Sequence, residues 1–147
     1  GIGNMLMSDE AAGIHVVKAL NEMTLPSNAV VVDGGTGGFN LLSYFSDFKK
    51  IIIVDASLDN QAEGTINVIE PKFSNDFPKS LSTHDVGLRD LIEAASLLGE
   101  LPKIYLVTIS IKNFQELSIG LSPQILEVIP KAVEIVINLI EKLNCEN

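Results

Sequence analysis

A chain of 147 residues has the length of one ordinary domain, and its 46% apolar and 20% charged residues are those of a soluble globular protein with a single buried core. The formal charge of -9 sets the surface against nucleic acid and anionic lipid, both of which are bound chiefly through Lys and Arg on phosphate. No window holds the roughly eighteen uninterrupted apolar residues of a membrane span, none reads as a signal peptide, and the lone Cys145 leaves no internal disulfide; a cytoplasmic protein without membrane insertion or a nucleic-acid partner is expected.

The chain opens on GIGNML, a glycine-rich turn, followed by Asp9 and Glu10 and a helical pattern over 10–22 with Ile14, Val17 and Leu20 on one side. A helix N-terminus ordinarily welcomes an anion, but two acids already stand there, which points to a cation or to acid chemistry. Leu6 occupies the place of the third glycine of a dinucleotide fingerprint, and no Gly-Lys-Ser/Thr occurs for a P-loop. AVVVD at 29–33 reads as a strand buried on both faces that ends at Asp33 and runs into the turn Gly34, Gly35, Thr36, Gly37. A short helix is predicted over 39–48, then a second buried strand, KIIIVDAS, at 50–57 with Asp55 near its end. GTINVIE at 64–70 alternates and suits an edge or antiparallel strand. The irregular stretch 71–85 carries His84, and loops of that length are often functional. Leu88, Leu91, Ile92, Ala95 and Leu98 predict a helix over 86–98 that Gly99 stops. KIYLVTISI at 103–111 is the third buried strand. Ser122 and Pro123 begin a last helix reaching about Leu143, which Pro130 should bend or split.

Strands alternating with helices predict one α/β domain over 1–147: a three-layer sandwich with a mostly parallel twisted sheet of about five strands and helices on both faces. Ligands of such sheets bind beyond the carboxyl ends of the strands. That rim would collect Asp33, Asp55, Glu10 and His84. Each has an ordinary structural use as well: acids favour a helix start, Asp and Gly favour turns, and a loop histidine can simply be solvated. Asp33 and Asp55, each after a strand, also suit an S-adenosylmethionine-dependent methyltransferase, although Phe39 stands where that motif has its last glycine. With only His15 and His84 and no HExxH, the usual zinc layouts lack nitrogens, whereas one imidazole with two carboxylates remains feasible. His15 falls inside the first helix, near its expected surface.

Five blocks in order, GIGNMLMSDEAAGIHVVKAL, VVDGGTGGFNLL, IIIVDAS, STHDVGLRDLI and IGLSPQILEVIPKAVE, resemble those of the hydrogenase maturation proteases, and together they span nearly the whole chain. That resemblance implies an endopeptidase that trims the C-terminal extension from a [NiFe] hydrogenase large-subunit precursor. It implies that Glu10, Asp55 and His84 bind nickel supplied by the substrate, with no organic cofactor. It carries over Asp33 as a residue needed for cleavage or for placing the substrate tail, with water activated either by the metal or by a carboxylate such as Asp33, Glu10 or Asp55. Gly34, Gly35, Thr36 and Gly37 would receive the substrate backbone, small side chains allowing its close approach. A monomer is expected of an enzyme that embraces a folded subunit. A nickel- or precursor-binding chaperone that does not cut is the alternative. Members of that family begin with a short apolar strand before the Gly-x-Gly-Asn turn, whereas this chain starts at Gly1, so a sheet without that strand is expected.

Overall fold

A computed structural model describes residues 1–81, 87–112 and 117–146. Three strands form one sheet: β1 (Lys50–Ser57), β2 (Ile66–Ile69) and β3 (Lys103–Ser110), in the order β1-β3-β2. β1 runs parallel to β3, with Asp55 opposite Thr108, and β2 is antiparallel to β3. The sheet is therefore mixed and has three strands among the described residues, where a mostly parallel sheet of about five was expected. The alternating segment 64–70 does become the antiparallel edge strand.

Among the described residues four α-helices cover the sheet: α1 (Ala12–Asn21), α2 (Leu42–Asp47), α3 (Leu88–Leu98) and α4 (Pro123–Cys145). Apolar side chains of α1 and α4 pack with Val54, Ala56, Val107 and Ile109 on one face. Those of α2 and α3 pack with Ile53, Ile104 and Leu106 on the other. Successive strand residues point to opposite faces, so a strand covered on both sides must be apolar at every position, which is why β1 and β3 show no alternation. Helices on both faces thus agree with the expected layers. Ser122 caps α4, its Oγ accepting from Ile125 N at 3.4 Å. Pro130 does not split α4, which is continuous over 23 residues. Pro130 is exposed, so the main-chain bond it cannot donate is lost on the solvent side, where water can serve the carbonyl.

The run 29–33 is not a strand. Val30 is 62% exposed, and Val31 and Val32 are half-buried. A strand exists only through a partner, and a cleft of about 390 Å³ lies between these valines and Ile51 and Ile53 of β1. What the segment has instead is short pairing with the chain's first residues: the Gly1 amine donates to Val32 O at 3.0 Å, and Gly34 N donates to Gly1 O at 2.8 Å. On the other side Ile2 N donates to Val54 O of β1 at 2.8 Å.

Candidate active site

The opening turn folds on its own side chains. Asn4 Oδ1 accepts from Leu6 N at 3.0 Å and Asn4 O from Met7 N at 3.0 Å, which turns the chain into a 3-10 helix over Ser8–Ala11 that leads straight into α1. Glu10 lies in that short helix, 2% exposed, and burial pushes its carboxyl pKa up. The turn packs against β1 because two positions lack a Cβ. A Cβ on Gly3 would sit 2.5 Å from Glu10 O, and one on Gly13 would sit 2.3 Å from Val54 O and 2.4 Å from Ile2 O. A larger residue at Gly13 would push α1 off the strand, and one at Gly3 would push the short helix of Glu10 away from the opening turn.

Asp55 is 1% exposed in β1, two residues before its end, and its Oδ1 accepts from Ala56 N at 2.8 Å. Behind it runs a buried polar row of Ser57, Thr108 and Ser110, which the apolar character of the strands hid in the sequence. Ser57 Oγ reaches Ser80 Oγ at 2.9 Å, and Ser110 Oγ donates to Asp59 Oδ2 at 3.0 Å, so the row anchors the loops at this rim. Asp33 is exposed, and its Oδ1 accepts from Gly35 N at 2.9 Å, closing the turn it begins. Gly35 and Gly37 take φ of 53° and 77°, the left-handed region that a turn of this shape reserves for glycine. Gly3 N donates to Gly35 O at 2.8 Å, binding this turn to the opening one, while Thr36 is exposed at its tip.

The first residues tie the two turns to the sheet: Gly34 N donates to Gly1 O and Ile2 N to Val54 O, each at 2.8 Å, which brings the Asp33 turn beside the residue that precedes Asp55. The 3-10 helix of Glu10 packs against β1 and the opening turn is bonded to the Asp33 turn, so Glu10, Asp33 and Asp55 lie on elements that meet near the carboxyl end of β1. His84 lies outside the described residues, and among those described no three His, Cys, Asp or Glu side chains are placed to hold a metal ion. His15 is not the surface residue its helix position suggested: its Nε2 is buried. Asp9 is also more than a charge at a helix start, since its Oδ1 accepts from Ser122 N at 2.6 Å, a partner 113 residues away.

The family model of the hydrogenase maturation proteases matches residues 14–139. The chain belongs to that family. It is 33% identical over 149 residues to the hydrogenase 2 maturation protease of Escherichia coli K12, an alignment covering 99% of this chain and 91% of the relative. It is 32% identical to a putative hydrogenase maturation protease of Methanocaldococcus jannaschii, over 97% of this chain and 94% of that one. Among solved structures, the hydrogenase maturating endopeptidase HybD from E. coli superposes with a TM-score of 0.86 at 34% identity, covering 97% of this chain and 90% of that chain. The [NiFe] hydrogenase maturation protease HybD from Thermococcus kodakarensis superposes at 0.77 with 27% identity, over 95% of each chain. A hydrogenase maturation protease is a peptidase, so the chain is a peptidase and not a nucleotide-binding protein of the kind its opening glycines suggest. The family matched over residues 14–139 is that of the proteases and not that of the S-adenosylmethionine-dependent methyltransferases.

Proposed function

We propose that this peptidase removes the C-terminal extension of a [NiFe] hydrogenase large-subunit precursor once the precursor carries nickel. The observation that supports this reading best is that two buried acids, Glu10 and Asp55, and the exposed Asp33 stand on elements that meet at one rim of a fold that matches hydrogenase maturation proteases over nearly its full length. Glu10, Asp55 and His84 would grip the nickel as part of the substrate. Carboxylates and an imidazole suit that ion without competing as thiolates would for its own cysteines. The rise in the Glu10 pKa fits this role, because a buried carboxyl that resists charging gains most from a cation delivered to it. No organic cofactor takes part, and the enzyme acts as a cytoplasmic monomer.

With the metal fixed, the tail of the precursor would cross the Gly34–Gly37 turn, where the missing side chains allow a backbone to approach. Water is then activated by the metal as a Lewis acid or by a carboxylate acting as general base, and Asp33 is the acid a substrate reaches from solvent. Mass spectrometry of a large-subunit precursor incubated with the protein, with and without inserted nickel, tests the reading. Loss of a C-terminal peptide only from the nickel-loaded precursor is expected; cutting of both, or of neither, refutes the metal requirement or the substrate. Glu10→Gln, Asp55→Asn and His84→Ala should each lower the rate by about 100-fold or more, and Asp33→Asn, which keeps the acceptor for Gly35 N, separates the two routes. A fall of about 10²–10⁴ makes Asp33 the base, and an unchanged rate leaves the metal, Glu10 or Asp55 to activate water.

A further inference from the structure

The turn that carries Glu10 is tied to a segment more than a hundred residues away. Ser118 N donates to Leu6 O at 3.1 Å, Ser8 N donates to Ser118 O at 2.7 Å, and Ser8 Oγ donates to Gly120 O at 3.2 Å. These bonds use main-chain atoms and one hydroxyl. The fourth is different in kind: Asp9 Oδ1 accepts from Ser122 N at 2.6 Å, a charge-assisted bond made by a side chain that is only 9% exposed. Ser122 is the cap of α4, so the carboxylate fastens the acid-bearing turn to the start of the longest helix.

The turn needs such a fastening. Ser8 holds φ of 48°, a left-handed conformation that costs a residue with a Cβ free energy and persists only where the surroundings impose it. Ser8 and Asp9 supply the restraint, and Glu10 is the next residue along a short 3-10 helix with no side-chain cap of its own. We propose that Asp9 is a positioning residue: its bond to Ser122 N holds the Ser8–Ala11 turn against β1 and thereby fixes where the Glu10 carboxyl stands. The bland role for an acid here, a favourable interaction with the helix dipole, would need no partner in α4. This assignment rests on the proposed role of Glu10 for its effect on cleavage, but its structural half stands alone.

Two readouts on the full chain test it. In cleavage of the nickel-loaded precursor, Asp9→Ala should lower kcat about 10–100-fold with KM unchanged, as for groups that orient a ligand from behind. Asp9→Asn keeps the Oδ1 acceptor and should recover most of that loss. A wild-type kcat in Asp9→Ala, a defect confined to KM, or an Asn variant as impaired as the Ala variant would overturn the assignment. The second readout needs no substrate: hydrogen exchange at the Glu10 and Ser122 amides should speed at least about tenfold in Asp9→Ala while Leu106 in β3 stays protected. Unchanged exchange at Glu10 overturns the proposal even if the precursor proves to be the wrong substrate. Should Asp9→Ala fail to fold, Ser122→Pro removes the donor from the other end at a φ of -60° that proline accepts, with Ser122→Ala as the control for the lost cap. Loss of cleavage and faster Glu10 exchange in the Pro variant but not in the Ala variant sustains the assignment, and equal behaviour of the two refutes it.

Discussion

His15 stands in α1 four residues after the end of the short helix that carries Glu10, and its buried Nε2 has no hydrogen-bond partner among the described residues. Burial, and then the neighbouring Lys18 charge, lowers its pKa below the ordinary histidine value of 6.5. The folded protein therefore binds fewer protons than the unfolded chain over the interval below that value, and stability must fall as the pH drops from 6.5 through the depressed pKa. Thermal melting between pH 7 and pH 5 should show a declining Tm that His15→Leu flattens; a slope unchanged in the variant would place the loss on other groups. The sequence placed this ring near the surface because helical spacing says which face a residue occupies and not how deeply a neighbouring loop covers it. Glu10 and Asp55 were legible because position alone, after a turn and near a strand end, marked them for the rim. The partner of Asp9 was not, since Ser122 lies 113 residues along and nothing local announces it.

The junction of α1 with β1 depends on Gly13, where a Cβ would meet two carbonyl oxygens at 2.3 and 2.4 Å. Both are main chain and cannot swing aside, so Gly13→Ala should destabilise the fold by about 1–3 kcal/mol, measured by denaturant unfolding, despite the better helix propensity of alanine. Cleavage should fall as well, because the displaced helix takes the Glu10 turn with it; a variant as stable as the parent would show that α1 has slack against the strand. Helices and buried strands were read correctly wherever a periodic or continuous apolar pattern was long. One reading failed, and of the two outcomes expected at Pro130, a bend or a split, the split did not occur. The valines at 30–32 have all the local character of a strand but no ladder to join. Pro130 ought to interrupt a helix, yet it falls on the exposed side of α4, where a lost main-chain bond is cheap.

The sheet divides the interior into two apolar clusters, one beneath α1 and α4 and one beneath α2 and α3. Ile125 belongs to the first and Ile92 to the second, and both are completely buried. Truncating either to alanine should cost about 2–5 kcal/mol through lost burial and the cavity left behind. Because the sheet stands between them, the double variant should show the sum to within about 0.5 kcal/mol in equilibrium unfolding. A larger coupling would mean that strain crosses the sheet, and with it that changes in α3 can reach the acid-bearing turn. The same layering explains why the layers were visible in the sequence while the strand count was not: both faces need apolar residues, but pairing along the sheet is written in main-chain bonds that every residue can make. The bonds joining residues 6–9 to residues 118–122 have a consequence for the time at which the enzyme comes into being. Closing so long a loop is among the slow, entropically costly steps of folding, and during synthesis it cannot happen before Ser122 has left the ribosome. A nascent chain that ends before Ser122 lacks the restraint on the Glu10 turn, so on the proposed role of Glu10 proteolytic competence would arrive only with the docking of the last helix.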